Sequence, residues 1–105
     1  MDYLGVNKME ERLNLINLYD IYGELLTDKQ QTYFEEYYFN NLSLSEMSDL
    51  YEVSRSAVSK SLKEIEAKLN NYEDKLKIMD KLNKVNKLIK DEKIKDKIDD
   101  IFKGE

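Results

Sequence analysis

Two serines eleven residues apart frame the stretch LSLSEMSDLYEVSRSAVSKSLKEIE, residues 42–66, and restrict the fold more than any other feature. Ser43 is followed three residues later by Glu46, the pattern of a capping box, in which two side chains satisfy backbone donors at a helix start. The spacing predicts a short helix over Leu44 to Tyr51, a turn over YEVS (51–54), and a further helix from Arg55 with Ser54 as its N-cap. Helices joined by so short a turn cross steeply, so one position must be small, and Ser48 occupies it. Four residues on, where the backbone favours positive φ and glycine is usual, stands Glu52. Val53 is expected to plug the turn, and Val58 and Leu62 to pack inward. Arg55, Ser56, Ser59, Lys60 and Lys63 are left on the outward face. This is the pattern of a helix-turn-helix; the bland alternative is a small helical bundle whose ends happen to cap well.

The rest of the chain is helix-permissive. Proline is absent and glycine occurs three times in 105 residues, so helix breakers are nearly missing. A first helix is expected from Asn7 or Lys8 to about Leu26. It carries Met9, Leu13 and Ile16 on one loose stripe and Leu15, Leu18, Tyr22, Leu25 and Leu26 on another. Thr27 and Gln30 form a second capping box, opening a helix over Asp28–Phe39 with Tyr33, Phe34, Tyr37 and Tyr38 as its apolar face. NNLS (40–43) reads as a turn. The helix from Arg55 shows no stop before about Asn70 and continues in pattern as far as Lys90. Val58, Leu62, Ile65, Leu69, Tyr72, Leu76 and Met79 alternate steps of four and three, a heptad seam over three repeats. Either the seam pairs two chains into a homodimer, or its first half belongs to the core and its second half folds back. Asp91 caps a last helix, 92–103, with Ile94, Ile98, Ile101 and Phe102 on one face. The reading is an all-α protein without a wing: a helix-turn-helix domain over 1–71 and a long C-terminal helical arm over 72–105.

Chemistry narrows next. There is no Cys and no His, which removes thiolate metal sites, disulfides and the commonest general base. No nucleophile has a base beside it and no Gly-rich phosphate loop exists, so no enzyme, metal or cofactor is expected. No apolar run reaches the ~18 residues of a membrane span, and the first residues lack the order of a signal peptide, so a cytoplasmic protein is expected. The acid pairs Glu10–Glu11, Glu35–Glu36 and Asp99–Asp100 read as solvated faces. The tyrosines suit partial burial with wet hydroxyls better than stacking on unpaired bases.

Charge divides the chain. Residues 1–54 hold 11 acids and 3 bases; residues 55–105 hold 14 bases and 11 acids. The crossover falls at Arg55, where the second helix of the motif begins. Arg is the commonest reader of base edges, and Lys and Ser suit phosphates. Arg55, Lys60, Lys63 and Lys68 therefore form a basic face that local chemistry fits to duplex DNA or RNA. The acidic half opposes phosphate neutralisation, the main source of nucleic-acid affinity.

Residues 18–76 resemble the YlxM family of Firmicutes and mollicutes, helix-turn-helix proteins similar to sigma factor region 4. LLTDKQ, LSLSEMSDLYEVSRSAV and NYEDKL carry the resemblance. The family is usually encoded beside the signal recognition particle GTPase. The resemblance thus implies an accessory or regulatory role in that pathway, with the particle's protein or RNA as partner. Its sigma-like side implies base-contact roles for Arg55, Ser56, Ser59 and Lys60 in a DNA-binding regulator. A structural dimerisation module is the third alternative.

Overall fold

The structure, a computed structural model, describes residues 4–104, with side chains from residue 8 on. Six α-helices follow one another: α1 Leu4–Tyr22, α2 Asp28–Tyr38, α3 Leu44–Tyr51, α4 Arg55–Leu76, α5 Ile78–Leu88 and α6 Glu92–Lys103. A 3-10 turn, Gly23–Leu25, ends α1. The first helix starts earlier than its sequence pattern suggested and closes on this tighter turn. Gly23 leaves room there for the ring of Tyr19, which a Cβ would meet at 3.0 Å and push aside.

Four helix starts follow the caps written in the sequence. Thr27 and Gln30, and Ser43 and Glu46, each close a reciprocal capping box. Ser54 accepts from the Ala57 amide at 3.0 Å, and Asp91 accepts from the amides of Lys93 and Ile94. Each such cap satisfies donors that would otherwise be orphaned and contributes about 1 kcal/mol. The turn over residues 40–43 places Asn41 at φ 57°, a conformation that Asn tolerates better than most residues.

The core sits where α1, α2 and α3 pack against α4. Leu18, Phe34, Met47, Val58 and Leu69 are fully enclosed, with Tyr22, Tyr33, Leu62 and Ile65 beside them. Polar links tie the same helices at their rims. The phenols of Tyr19, Tyr38 and Tyr22 donate to Glu35, Glu66 and Glu73, joining α1 to α2, α2 to α4 and α1 to α4. Arg12 donates to the Tyr38 carbonyl at 2.7 Å and to Asn41 at 3.1 Å, satisfying a carbonyl at the end of α2. Its guanidinium also lies 4.9 Å from the centre of the Tyr38 ring.

Several expectations are corrected here. Of the two uses open to the heptad seam, its first half takes the second: Val58, Leu62, Ile65 and Leu69 belong to the chain's own core. The seam cannot serve a Val58–Met79 homodimer while those four side chains fill the domain. Nor does α4 run on to Lys90. It stops at Leu76, where Lys77 turns left-handed at φ 57°. Glu73 explains the stop. Its carboxylate accepts from the amides of Met79 (3.0 Å) and Asp80 (3.1 Å), capping α5 in place of Lys77. Tyr22 completes the cap, donating to Glu73 at 2.6 Å and accepting the Ile78 amide at 3.2 Å. The redirected chain lets α5 and α6 pack back on α1. Met9 and Leu13 are the other exception at 65% and 55% exposed; of their stripe Ile16 packs on the core, while Leu15, Leu18, Tyr22 and Leu26 of the second are buried and Leu25 is not.

Candidate nucleic-acid interface

The geometry of the motif is set by its turn. Glu52 holds φ 55° and ψ 44°, the left-handed conformation its position called for. The Val53 amide donates to the Ser48 carbonyl at 3.1 Å, and the Ser48 hydroxyl donates to the Val53 carbonyl at 2.6 Å. These two bonds close the turn. The side chain of Val53 is therefore not the plug expected of it, and stands 37% exposed. The small residue at 48 does more than permit a close crossing: its hydroxyl is a structural clasp.

From this turn α4 emerges with Val58 and Leu62 buried and Arg55, Ser56, Lys60 and Lys63 exposed. Ser59 is half-buried rather than fully outward, because it also borders a cleft against Tyr37 and Leu44. Ser56, Ser59, Lys60 and Lys63 share one open face of α4 with Glu64 and Ala67. Arg55 stands at the start of the same helix. The structure thus places all five residues on the first turns of α4, four of them along one open face. Lys68 departs from the set. It is half-buried and donates to Gln30 at 3.0 Å, linking α4 to the capping box of α2.

The neighbouring helix carries the opposite charge. The exposed acids Glu46 and Asp49 of α3, and Glu52 after it, have no Lys or Arg among them on that helix. Hydrogen bonds from the backbone and hydroxyl of Ser43 hold the Glu46 carboxyl below its ordinary range, so it stays ionised. In a helix-turn-helix docked in the major groove, the second helix lies among base edges while the first crosses the phosphate backbone. Here the first turns of the second helix, through Lys63, are basic and the first helix is acidic. Phosphates reached by α4 alone are attracted; phosphates that would also lie under α3 are repelled.

Two capped helices crossing at Ser48, carried on an all-α body with no strand among the described residues, define a helix-turn-helix protein. The family model described as "Putative helix-turn-helix protein, YlxM / p13 like" (UPF0122) matches residues 9–103, and the chain belongs to that family. A UPF0122 protein of Oceanobacillus iheyensis is 46% identical over 88 residues, covering 83% of this chain and 82% of the relative. One from Thermoanaerobacter sp. (strain X514) is 48% identical over 77 residues, covering 67% of this chain. The chain spans 66% of that relative's length, just under two thirds. A Bacillus thuringiensis member is 40% identical over 81 residues.

Proposed function

We propose that this chain is a non-catalytic accessory protein of the signal recognition particle pathway, binding the particle's RNA through α4 and its basic protein through the acidic N-terminal half. The observation that supports it most is the charge step between α3 and α4: Glu46, Asp49 and Glu52 against Arg55, Lys60 and Lys63. A long duplex presents phosphates on both sides of its groove and so meets both helices. A folded RNA with a bound basic protein offers phosphates to α4 and cations to α3. Such complementarity governs orientation and encounter more than raw affinity. The role itself comes from the family resemblance; the charge step supports the kind of partner.

The runner-up is a DNA-binding transcription regulator. It is favoured by Arg55, Ser56 and Ser59 standing on the N-terminal turns of α4, the part of a recognition helix that reaches base edges.

Titration of labelled protein into the particle's GTPase, its RNA, their complex and a random duplex separates the two. Binding is expected to be tightest to the complex, and reversal of Arg55 and Lys60 to Glu to remove the RNA-dependent part alone. Equal or absent binding to the first three, with tight duplex binding, installs the runner-up.

A further inference from the structure

The last helix segregates apolar from polar residues more sharply than any other described helix, yet it buries no side chain fully. Ile94, Ile98, Ile101 and Phe102 follow the spacing of a single face. Ile94 is 48%, Ile101 76% and Phe102 39% exposed. The reason is how α6 is attached. It meets the body through its polar flank: Asp99 accepts from Asn86 of α5 at 2.9 Å, and Lys103 lies 3.9 Å from Asp20 of α1. The body therefore grips the side of the helix, half-buries Ile98 and leaves Ile94 and Ile101 in solvent.

Charges are sorted around that stripe. By helical position, Lys93 and Lys97 run along one border and Lys95 stands on the other, leaning toward Glu92 at 3.8 Å. Glu92, Asp96 and Asp100 occupy the face opposite the stripe. Lysines at the border and acids at the far side form the pattern of a helix lying flat in an anionic interface. Isoleucine and phenylalanine enter the acyl boundary, lysine ammoniums rise to the headgroups, and carboxylates stay in water. Within α6 four lysines meet four acids, so the cationic excess comes from the chain just before it: residues 75–90 hold six lysines and one acid.

We propose that α6 is a reversible docking helix for an anionic phospholipid surface, with Ile94, Ile101 and Phe102 inserted and Lys93 and Lys97 on the headgroups. The contact is peripheral; no described helix is long and apolar enough to cross a membrane. Three apolar residues make a weak anchor, so attachment depends on negative lipid and falls with salt.

The test is co-sedimentation of the full chain with two sets of vesicles: phosphatidylcholine alone, and phosphatidylcholine with roughly 30% phosphatidylglycerol. It contains no nucleic acid and so stands apart from the role proposed for α4. Binding is expected to the anionic vesicles only, and to be lost on raising salt toward ~0.5 M. Ile101→Asp, at a solvent-facing position, is expected to keep the helical circular dichroism and abolish sedimentation. Lys93→Glu with Lys97→Glu is expected to weaken partitioning at least about tenfold. No sedimentation with either vesicle, equal sedimentation with both, or wild-type binding by Ile101→Asp overturns the proposal. So does a concentration-dependent dimer that Ile101→Asp dissolves, which gives the stripe to a second copy.

Discussion

Individual side chains decide more here than the apolar pattern suggests. Leu62 is 4% exposed and Val58 fully buried, so the phase of α4 depends on them. Leu62→Ala is expected to cost about 2–5 kcal/mol in urea-melt stability, since the site closes only partly around the cavity; wild-type stability would show α4 phased otherwise. Glu52 was legible as a left-handed position because the motif requires one there. A left-handed non-glycine residue is strained by about 1–2 kcal/mol, partly offset by the greater unfolded freedom of glycine. Glu52→Gly is accordingly expected to raise stability by up to about 1 kcal/mol, read from the same melts. Arg12 and the three Tyr–Glu bonds were not legible, because their partners lie at least sixteen residues away along the chain. Burial first, then the bonded carboxylates, pushes the phenols of Tyr19 and Tyr38 up and that of Tyr22 up to about 12. An unfolded tyrosine ionises near pH ~10, so the neutral phenol favours the folded state. The stabilisation is fully present below about pH 10 and lost as pH rises toward 12. Urea midpoints should hold level from pH ~8 to ~9.5 and fall above ~10; a midpoint flat through pH ~11.5 would contradict these assignments.

At the scale of elements, the caps were the readable part. Thr27, Ser43, Ser54 and Asp91 each act within three residues of themselves, and every one starts its helix. The break at Lys77 was hidden for the opposite reason. Lys77 offers no glycine, proline or side-chain cap, and the group that stops the helix is Glu73, held by Tyr22 from 51 residues away. The heptad seam left two uses open for a similar reason: a 4-3 spacing states which residues share a face, not whose surface covers it. Two substitutions separate the two uses. Leu69→Asp is expected to unfold the chain, because Leu69 is wholly enclosed, whereas Leu76→Asp is expected to be tolerated at 44% exposure. Monomerisation of a folded dimer by either variant would restore the intermolecular seam. Glu73→Ala should release the start of α5. Amide exchange at Met79 and Asp80 is then expected to rise steeply while α4 amides near Leu62 stay protected; unchanged exchange would remove Glu73 as the cap.

Across the whole molecule, the division of charge and its crossover at Arg55 were visible in the sequence, and the fold shows which side chains on either side are exposed. It runs between two adjacent helices of one motif, with Glu46, Asp49 and Glu52 on one side and Arg55, Lys60 and Lys63 on the other. The proposed function rests on that arrangement: α4 would attract phosphate, and the acids of α3 would oppose the second flank of a duplex. The most direct measurement is the affinity of wild type and of Asp49→Lys with Glu52→Lys for a random duplex, and for the particle's protein–RNA complex, at physiological salt. The wild type is expected to bind the duplex weakly and the complex more tightly. The double variant should gain duplex affinity by about tenfold or more, with a steeper salt dependence, and lose affinity for the complex. Tight, sequence-selective duplex binding by the wild type, unchanged when the α3 acids are reversed, would contradict the account and make this a DNA-reading helix-turn-helix.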